Sequence, residues 1–404
     1  MYICYTLYVN INYCQKKSKK MGSIIDNRIR QLYRLGGGGP GIGISIANLV
    51  CMKEKRQSPA RKEVIDIHCH AAGIGAGQSG CSVSAAMRRS WKFGLYLRAF
   101  GVSAAEVNEH GDALIIRRQA EQLSASSIVD SAVVLALDSV VDEKGIPDLS
   151  LTELYVPNEF VSREVRKYNN LYFGASIHPY RKDALDELQK VHDENAVLIK
   201  WLPSVQHIDP ADRRLIPFYS CMRDLGLPLL THTGDEHSFT TAKNELSDPQ
   251  RLRLPLELGV TIIAAHCATN GRNGGLGNFE RILPLFSEFT NLYSDISSLT
   301  QLNKIGHLQK FLKHKDLRDS LLYGTDMPIL NTAVVSPLYF IHSLGLRKAA
   351  ALLKIENSWD RDVKLREALG VPQPVFERAS ELLGERLASV ASKLIPEGTT
   401  MDNN

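Results

Sequence analysis

The chain has 404 residues, with 48 basic and 44 acidic side chains, a net charge of +4 and 44% hydrophobic residues. So small a net charge excludes the basic surface typical of nucleic-acid-binding proteins. The sequence contains no run of 18 or more apolar residues, so no membrane-spanning helix is predicted. The seven cysteines show no pairing pattern, which predicts reduced thiols and a cytoplasmic location.

Residues 1–63 are predicted to form a partly flexible N-terminal extension. The basic run Lys16–Lys20 follows the Tyr-rich start, so this charge lies on the wrong side for a signal peptide. Arg28–Arg34 precedes the apolar stretch Ile42–Met52, which loosely imitates an export signal. That stretch is short and lacks a small-residue cleavage site, so export is the less favoured alternative.

The first regular element is the run Val64–His70, which ends in His-x-His. Side chains on a strand alternate between its two faces, so His68 and His70 point the same way. This arrangement suits two ligands of a single metal ion.

Further apolar runs with strand character follow along the chain. They span residues 129–137, 171–178, 196–203, 227–234, 260–267, 292–298 and 321–328. Helical periodicity lies between several of them, as in residues 183–194, 213–226, 278–289 and 305–313. Eight strands alternating with helices predict an α/β protein, a (β/α)8 TIM barrel spanning residues 64–340.

Two additions to this barrel are predicted. Residues 71–128 separate the first two strands by far more chain than one βα unit needs. We expect this insertion to form a lid or a substrate wall, with a structural helical hairpin as the equal alternative. Residues 341–404 are predicted to form a C-terminal helical appendage, which offers a contact surface for a homo-oligomer.

Four later strand ends also carry polar residues suited to chemistry. Lys200, His232, His266 and Asp326 lie at or near the ends of the fourth, fifth, sixth and eighth strands. Chemistry in TIM barrels takes place at these C-terminal ends. A lone strand histidine is usually a packed core residue, but imidazoles and a carboxylate at successive strand ends predict a metal site. Such ligands suit Zn²⁺, with Fe²⁺, Co²⁺ or Mn²⁺ as alternatives.

With these residues in view, the chain resembles the amidohydrolase superfamily, and more closely its amidohydrolase-related (amidohydrolase 2-like) group of metal-dependent TIM-barrel hydrolases. The superfamily pattern has His-x-His on strand one, Lys or Glu on strand four, His on strands five and six, and Asp on strand eight. The matching residues are His68, His70, Lys200, His232, His266 and Asp326. The resemblance implies that these six residues form the metal site and that Asp326 touches the metal and shuttles the proton.

Lys200 leaves the number of metal ions open. If it is carboxylated on its side-chain nitrogen, it would bridge two ions. His68 and His70 would then hold one ion, and His232 and His266 the other. Unmodified, Lys200 would be a cation suited to a substrate carboxylate, and His266 would orient the hydroxide beside a single ion. The ligands of that ion would then be His68, His70, His232 and Asp326. We favour one ion.

Four further residues are candidates for the site, and three of them have a second interpretation. His178, Arg181 and Arg272 follow strand ends and are candidates for substrate binding. The alternatives are a turn-capping role for His178 and a solvated loop around Arg272. Asp295 is a candidate acceptor for the N–H of a ligand histidine, or else a helix cap.

The expected activity is hydrolysis of an amide, lactone or ester carbonyl of a small molecule by metal-activated hydroxide. Asp326 would carry the proton, with His266 and Lys200 as further catalytic groups. A metal-dependent decarboxylase of an aromatic or unsaturated carboxylic acid is the first alternative. A metal-binding barrel without turnover is the second.

Overall fold

The computed structural model describes residues 62–394, and the predicted extension lies outside them except for its last two residues. Eight parallel strands form one sheet, and each is short and buried. Their bounds are β1 Ile65–His70, β2 Ser131–Leu135, β3 Leu171–Ala175, β4 Ala196–Trp201, β5 Leu229–Thr231, β6 Ile262–Ala264, β7 Leu292–Asp295 and β8 Leu321–Leu322. All eight predicted strands are therefore confirmed, with shorter bounds.

The sheet follows chain order from β1 to β8 and then meets its own first strand. The Ile67 N–H donates to the Tyr323 carbonyl at 3.2 Å, and the His70 N–H donates to the Met327 carbonyl at 2.8 Å. Cys69 and Met327 also form a parallel bridge. These contacts join β1 to β8 and the residues after it, so the predicted TIM barrel is confirmed.

Helices surround the strands, and each of the four segments with predicted helical periodicity contains one. From the insertion to β6 they are α1 Ala85–Arg89, α2 Trp91–Ala99, α3 Ala104–His110, α4 Ala113–Ser124, α5 Asn158–Val165, α6 Ala184–Asp193, α7 Pro203–Gln206, α8 Ile216–Asp224 and α9 Arg253–Glu257. The remaining ones are α10 Asn278–Glu288, α11 His307–Leu312, α12 Ile341–Leu344, α13 Leu346–Leu353, α14 Ser358–Ala368, α15 Pro374–Leu382 and α16 Gly384–Leu394. Among the described residues, no helix is long and apolar enough to span a membrane.

Strand β1 does not alternate regularly, and its irregularity sets the direction of the two histidines. Ile65 and Ile67 belong to the apolar cluster inside the barrel, whereas Cys69 packs in the layer between strands and helices. The pairing of β1 with β2 shifts register between Asp66 and Cys69. Such a shift places one extra residue on a strand. His68 can therefore follow the inward-facing Ile67 and still point towards the strand ends together with His70.

Asp66 lies on the outer side of this irregularity and ties three segments together. Its carboxylate accepts hydrogen bonds from the Thr325 N–H at 2.9 Å and the Trp359 indole N–H at 2.8 Å. It also accepts one from the backbone N–H of His68 at 3.1 Å. Burial raises the pKa of Asp66, and these donors oppose that shift. The network fixes β1, the segment before Asp326 and α14 to one another.

The last two helices, α15 and α16, pack at the end of the barrel where the strands begin. Ala379 of α15 and the following Leu383 join the inner apolar cluster. Arg386 of α16 donates to the carbonyl of Ala196, the first residue of β4, at 2.7 Å. The opposite end of the barrel, where the strands finish, is covered instead by loops and by the insertion.

Candidate metal centre

Three of the predicted ligands converge at the C-terminal end of the barrel. The Nε2 atoms of His68 and His70 lie 3.3 Å apart, and His70 Nε2 lies 3.1 Å from Asp326 Oδ1. His68 Nε2 lies 3.7 Å from the same oxygen. Two imidazoles and a carboxylate so close to one another form a set of donors that could hold one metal ion.

His266 and His232 complete a ring of imidazoles around this point. The ring of His266 lies 5.2 Å from that of His68 and 5.1 Å from that of His232, measured between centroids. His232 Nε2 is buried and has no hydrogen-bond partner among the described residues. A buried ring nitrogen without a partner is costly, and a metal ion would satisfy it.

Asp295 fixes the tautomer of His68. The Nδ1–H of His68 donates to Asp295 Oδ2 at 2.7 Å, so the lone pair of His68 lies on Nε2 and faces the site. The predicted contact between Asp295 and a histidine of the site is therefore present, and the role of His68 as a metal ligand stays a prediction. The backbone N–H groups of His266, at 2.9 Å, and Ser297, at 3.1 Å, donate to the other oxygen.

A similar relay orients His266. The Ser297 hydroxyl donates to Asp295 and therefore accepts from the Nδ1–H of His266, with 2.8 Å between oxygen and nitrogen. The lone pair of His266 is thus on Nε2. His232 has a looser carboxylate partner, since its Nδ1 lies 3.7 Å from Glu236 Oε2. Three of the four histidines therefore have polar partners behind them.

The backbone is left-handed at several of these residues. His266 and Asp326 lie just after β6 and β8 with φ angles of 60° and 66°, and Ser298 after β7 has φ 60°. Non-glycine residues seldom adopt this region, and such strain concentrates at functional sites. Ser298 donates its hydroxyl to Asp326 Oδ2 and so holds that carboxylate in place.

The protonation states suit a cation. Burial, aided by nearby Lys200, lowers the pKa of His68 to about 4. Burial also lowers the pKa of His232 and of His266. Burial alone would raise the pKa of Asp326, but the hydrogen bond with His70 and the nearby imidazoles lower it well below its usual value. Neutral imidazoles beside an ionised carboxylate are the forms that bind metal.

Lys200 lies at the floor of the site as predicted. Its Nζ is 2.9 Å from His68 Nε2, and burial lowers its pKa to about 8 although Asp295 and Asp326 raise it. The side chains of Lys200, His68, His70, His232, His266 and Asp326 all line one cavity. The structure therefore brings together all six residues of the predicted metal site.

The three predicted substrate-binding residues are not among the residues lining that cavity. His178 donates to the Gln206 carbonyl at 2.8 Å and accepts from the Tyr180 N–H, which is the turn-capping geometry. Arg181 pairs with Asp183 at 2.8 Å and with Asp138 at 3.4 Å. Arg272 lies exposed in a small hairpin and donates to Gly275. A role for these residues in substrate binding stays a prediction.

Two features of the cavity could be anticipated only in part from the sequence. Glu236 lines it with a carboxylate that is largely buried. The insertion supplies much of its wall, including Phe93, Tyr96 and Phe100 on or next to α2. We expected a lid or a substrate wall from this insertion, with a structural helical hairpin as the equal alternative, but the sequence did not identify which of its side chains would line the cavity.

Comparison with known proteins identifies the family of the chain. A family model described as amidohydrolase matches residues 65–337. An uncharacterised TIM-barrel protein from Bordetella bronchiseptica is 19% identical, with 80% of this chain and 99% of that one covered and a TM-score of 0.50. A putative 2-pyrone-4,6-dicarboxylic acid hydrolase from Pseudomonas putida is 15% identical, with 79% and 97% covered and a TM-score of 0.47.

At such low identity the Bordetella bronchiseptica structure bears on the fold alone. No curated protein matches the chain. The family match is different in kind, since it spans more than half of the chain, from the first residue of β1 to a point beyond Asp326. The chain therefore belongs to the amidohydrolase family.

Proposed function

We propose that this protein is a metal-dependent hydrolase that cleaves an amide, lactone or ester of a small molecule. The observation that carries the proposal is the convergence of His68, His70 and Asp326 on one point, beside a buried nitrogen of His232 that has no partner among the described residues. One ion would be held by these four residues, and Zn²⁺ is the ion that we favour. When bound, such an ion supplies a Lewis acid and lowers the pKa of water.

The protein's own groups would then have distinct tasks. Asp326 is ionised and is held by Ser298, so its carboxylate can accept a proton from water and return it to the leaving group. His266 presents its Nε2 lone pair to the cavity, where it would accept a hydrogen bond and orient that water. Lys200, left unmodified, would place a positive charge near the reacting carbonyl oxygen.

A decarboxylase is the second candidate, and one observation favours it. Lys200 is a buried cation at the reactive end of the cavity, where a carboxylate about to be lost would have to bind. However, Arg181 and Arg272, the other cations that would support this reaction, do not line the cavity. Because neither arginine lines the cavity, the hydrolase remains our first choice.

Incubation of the zinc-loaded protein with lactones, aryl esters and carboxylated phenols would separate the two activities. We expect acid release without carbon dioxide, and the Asp326→Asn variant should abolish it. Carbon dioxide from the carboxylated phenols, without ester or lactone cleavage, would establish the decarboxylase instead. We further propose that the enzyme acts in the cytoplasm on a small molecule without a nucleic-acid or membrane partner.

A further inference from the structure

The cavity above the imidazoles has a polar floor and an apolar wall. Its volume is about 150 Å³. Helix α2 and its C-terminal neighbour contribute Phe93, Tyr96, Leu97 and Phe100, and Phe239 faces the same space from the loop after β5. Four of these five side chains are aromatic. An aromatic ligand could therefore pack against the faces and edges of these rings.

Charge in this cavity is confined to its floor. Among the described residues that line it, the charged side chains are Lys200, Glu236 and Asp326, together with the titratable histidines. No arginine contributes to the lining that the structure describes. Lys200 already lies beside His68 at the floor. Lys304 is also buried close enough to interact with Asp326 and Glu236, but it is not among the lining residues. The wall itself therefore offers no cation to a second anionic group. A carboxylate placed against this wall would lose water without gaining a partner.

We infer that the substrate is a carbonyl compound with an uncharged aromatic body, and that α2 selects it. This inference rests on the proposed function for the nature of the reacting group, but the selection itself concerns binding. The carbonyl would reach the histidines and Asp326, while the aromatic body would lie against Phe93 and Phe100. Aromatic lactones of the dihydrocoumarin type meet this description, whereas lactones or esters with a carboxylate on the far ring do not.

Calorimetry with two unreactive ligands tests the selection without requiring turnover. The neutral ligand is 2-tetralone, the ketone obtained when the ring oxygen of dihydrocoumarin is replaced by a methylene group. The charged ligand is 6-carboxy-2-tetralone. We expect zinc-loaded protein to bind the neutral ketone about 10-fold or more tighter, because the carboxylate is desolvated without a partner. Equal or tighter binding of the acid would overturn the inference, as would a lack of binding of both ligands.

Two truncations on the same helix provide a matched comparison. Phe93 lines the cavity, whereas Trp91 is 75% exposed and does not line it. Phe93→Ala should weaken 2-tetralone binding about 10-fold, since it removes a ring from the wall. Trp91→Ala should leave binding within about twofold. Equal effects of the two substitutions would refute the assignment of α2 as the selective wall.

A parallel assay of dihydrocoumarin hydrolysis keeps the two proposals apart. Binding of 2-tetralone in preference to its acid, without hydrolysis of dihydrocoumarin or of any other lactone, ester or amide tested, would refute the hydrolase and support the inference about the cavity. Hydrolysis of carboxylated lactones in preference to dihydrocoumarin would support the hydrolase and refute the inference.

Discussion

Asp295→Asn is the substitution whose consequences can be worked out most fully. Asp295 is buried and receives hydrogen bonds from four donors: the His68 ring, the Ser297 hydroxyl and the backbone N–H groups of His266 and Ser297. An asparagine has a single acceptor oxygen and adds an N–H₂ group. Whichever way the amide turns, its N–H₂ group faces one or more of these donors.

The expected cost follows from the donors left without an acceptor. With the amide nitrogen towards His68, the imidazole loses the carboxylate that fixes its tautomer. Loss of such a partner lowers metal affinity about 10- to 100-fold, or about 1.4 to 2.8 kcal/mol. A buried donor without a partner also lowers the free energy of unfolding by about 1 to 3 kcal/mol.

Metal affinity would be measured by competition with a chromogenic chelator, and stability by urea unfolding of metal-free protein. Asp319→Asn is the matched control, because the side chain of Asp319 is 96% exposed. We expect that control to change neither quantity appreciably. A zinc affinity of Asp295→Asn within twofold of the wild type, with unchanged stability, would refute the role given to Asp295.

Three further predictions concern turnover, pH and packing. Asp326→Asn should abolish turnover, whereas zinc binding should be retained or only weakened. Full activity in that variant would exclude the proposed proton shuttle. Burial lowers the pKa of His178 from 6.5 to about 4. Between these pH values His178 is therefore protonated in the unfolded chain but neutral in the folded protein. The neutral His178 therefore contributes to the free energy of unfolding fully above pH 6.5, and this contribution is lost as the pH falls to 4. In urea unfolding of metal-free protein, the wild type should lose about 3 kcal/mol more over this range than His178→Gln, which has no group that titrates there. Parallel pH curves for the two proteins would contradict this prediction. Leu198→Ala, inside the barrel, should lower the free energy of unfolding by about 2 to 5 kcal/mol, and a loss below 1 kcal/mol would argue against a tightly packed interior.

The sequence predicted the barrel well because its signals are periodic and local. Short apolar runs alternating with amphipathic helices specify a parallel sheet. Polar residues at the C-terminal ends of successive strands then lie together at one end of the barrel. Strict alternation along β1 would have grouped Asp66 with His68 and His70. The register shift instead turns Asp66 outwards to Trp359, a contact between residues nearly three hundred positions apart.

Residues that follow the strands were harder to place. His178 and Arg181 come after β3 just as Asp326 comes after β8, but a turn of the chain directs each side chain separately. His178 binds the Gln206 carbonyl and Arg181 binds carboxylates, so both use up their polar groups within the protein. The insertion was expected to form a lid or a substrate wall, but its aromatic lining residues could not be identified, since their positions depend on how the insertion folds back over the barrel.

Metal content per chain would be measured by elemental analysis on protein purified without chelator, and again after zinc reconstitution. We predict about one ion per chain, and a marked loss in His70→Ala, which removes a ligand at the edge of the cluster. Two ions per chain would mean that Lys200 is carboxylated and bridging. No bound metal even after reconstitution would contradict the account.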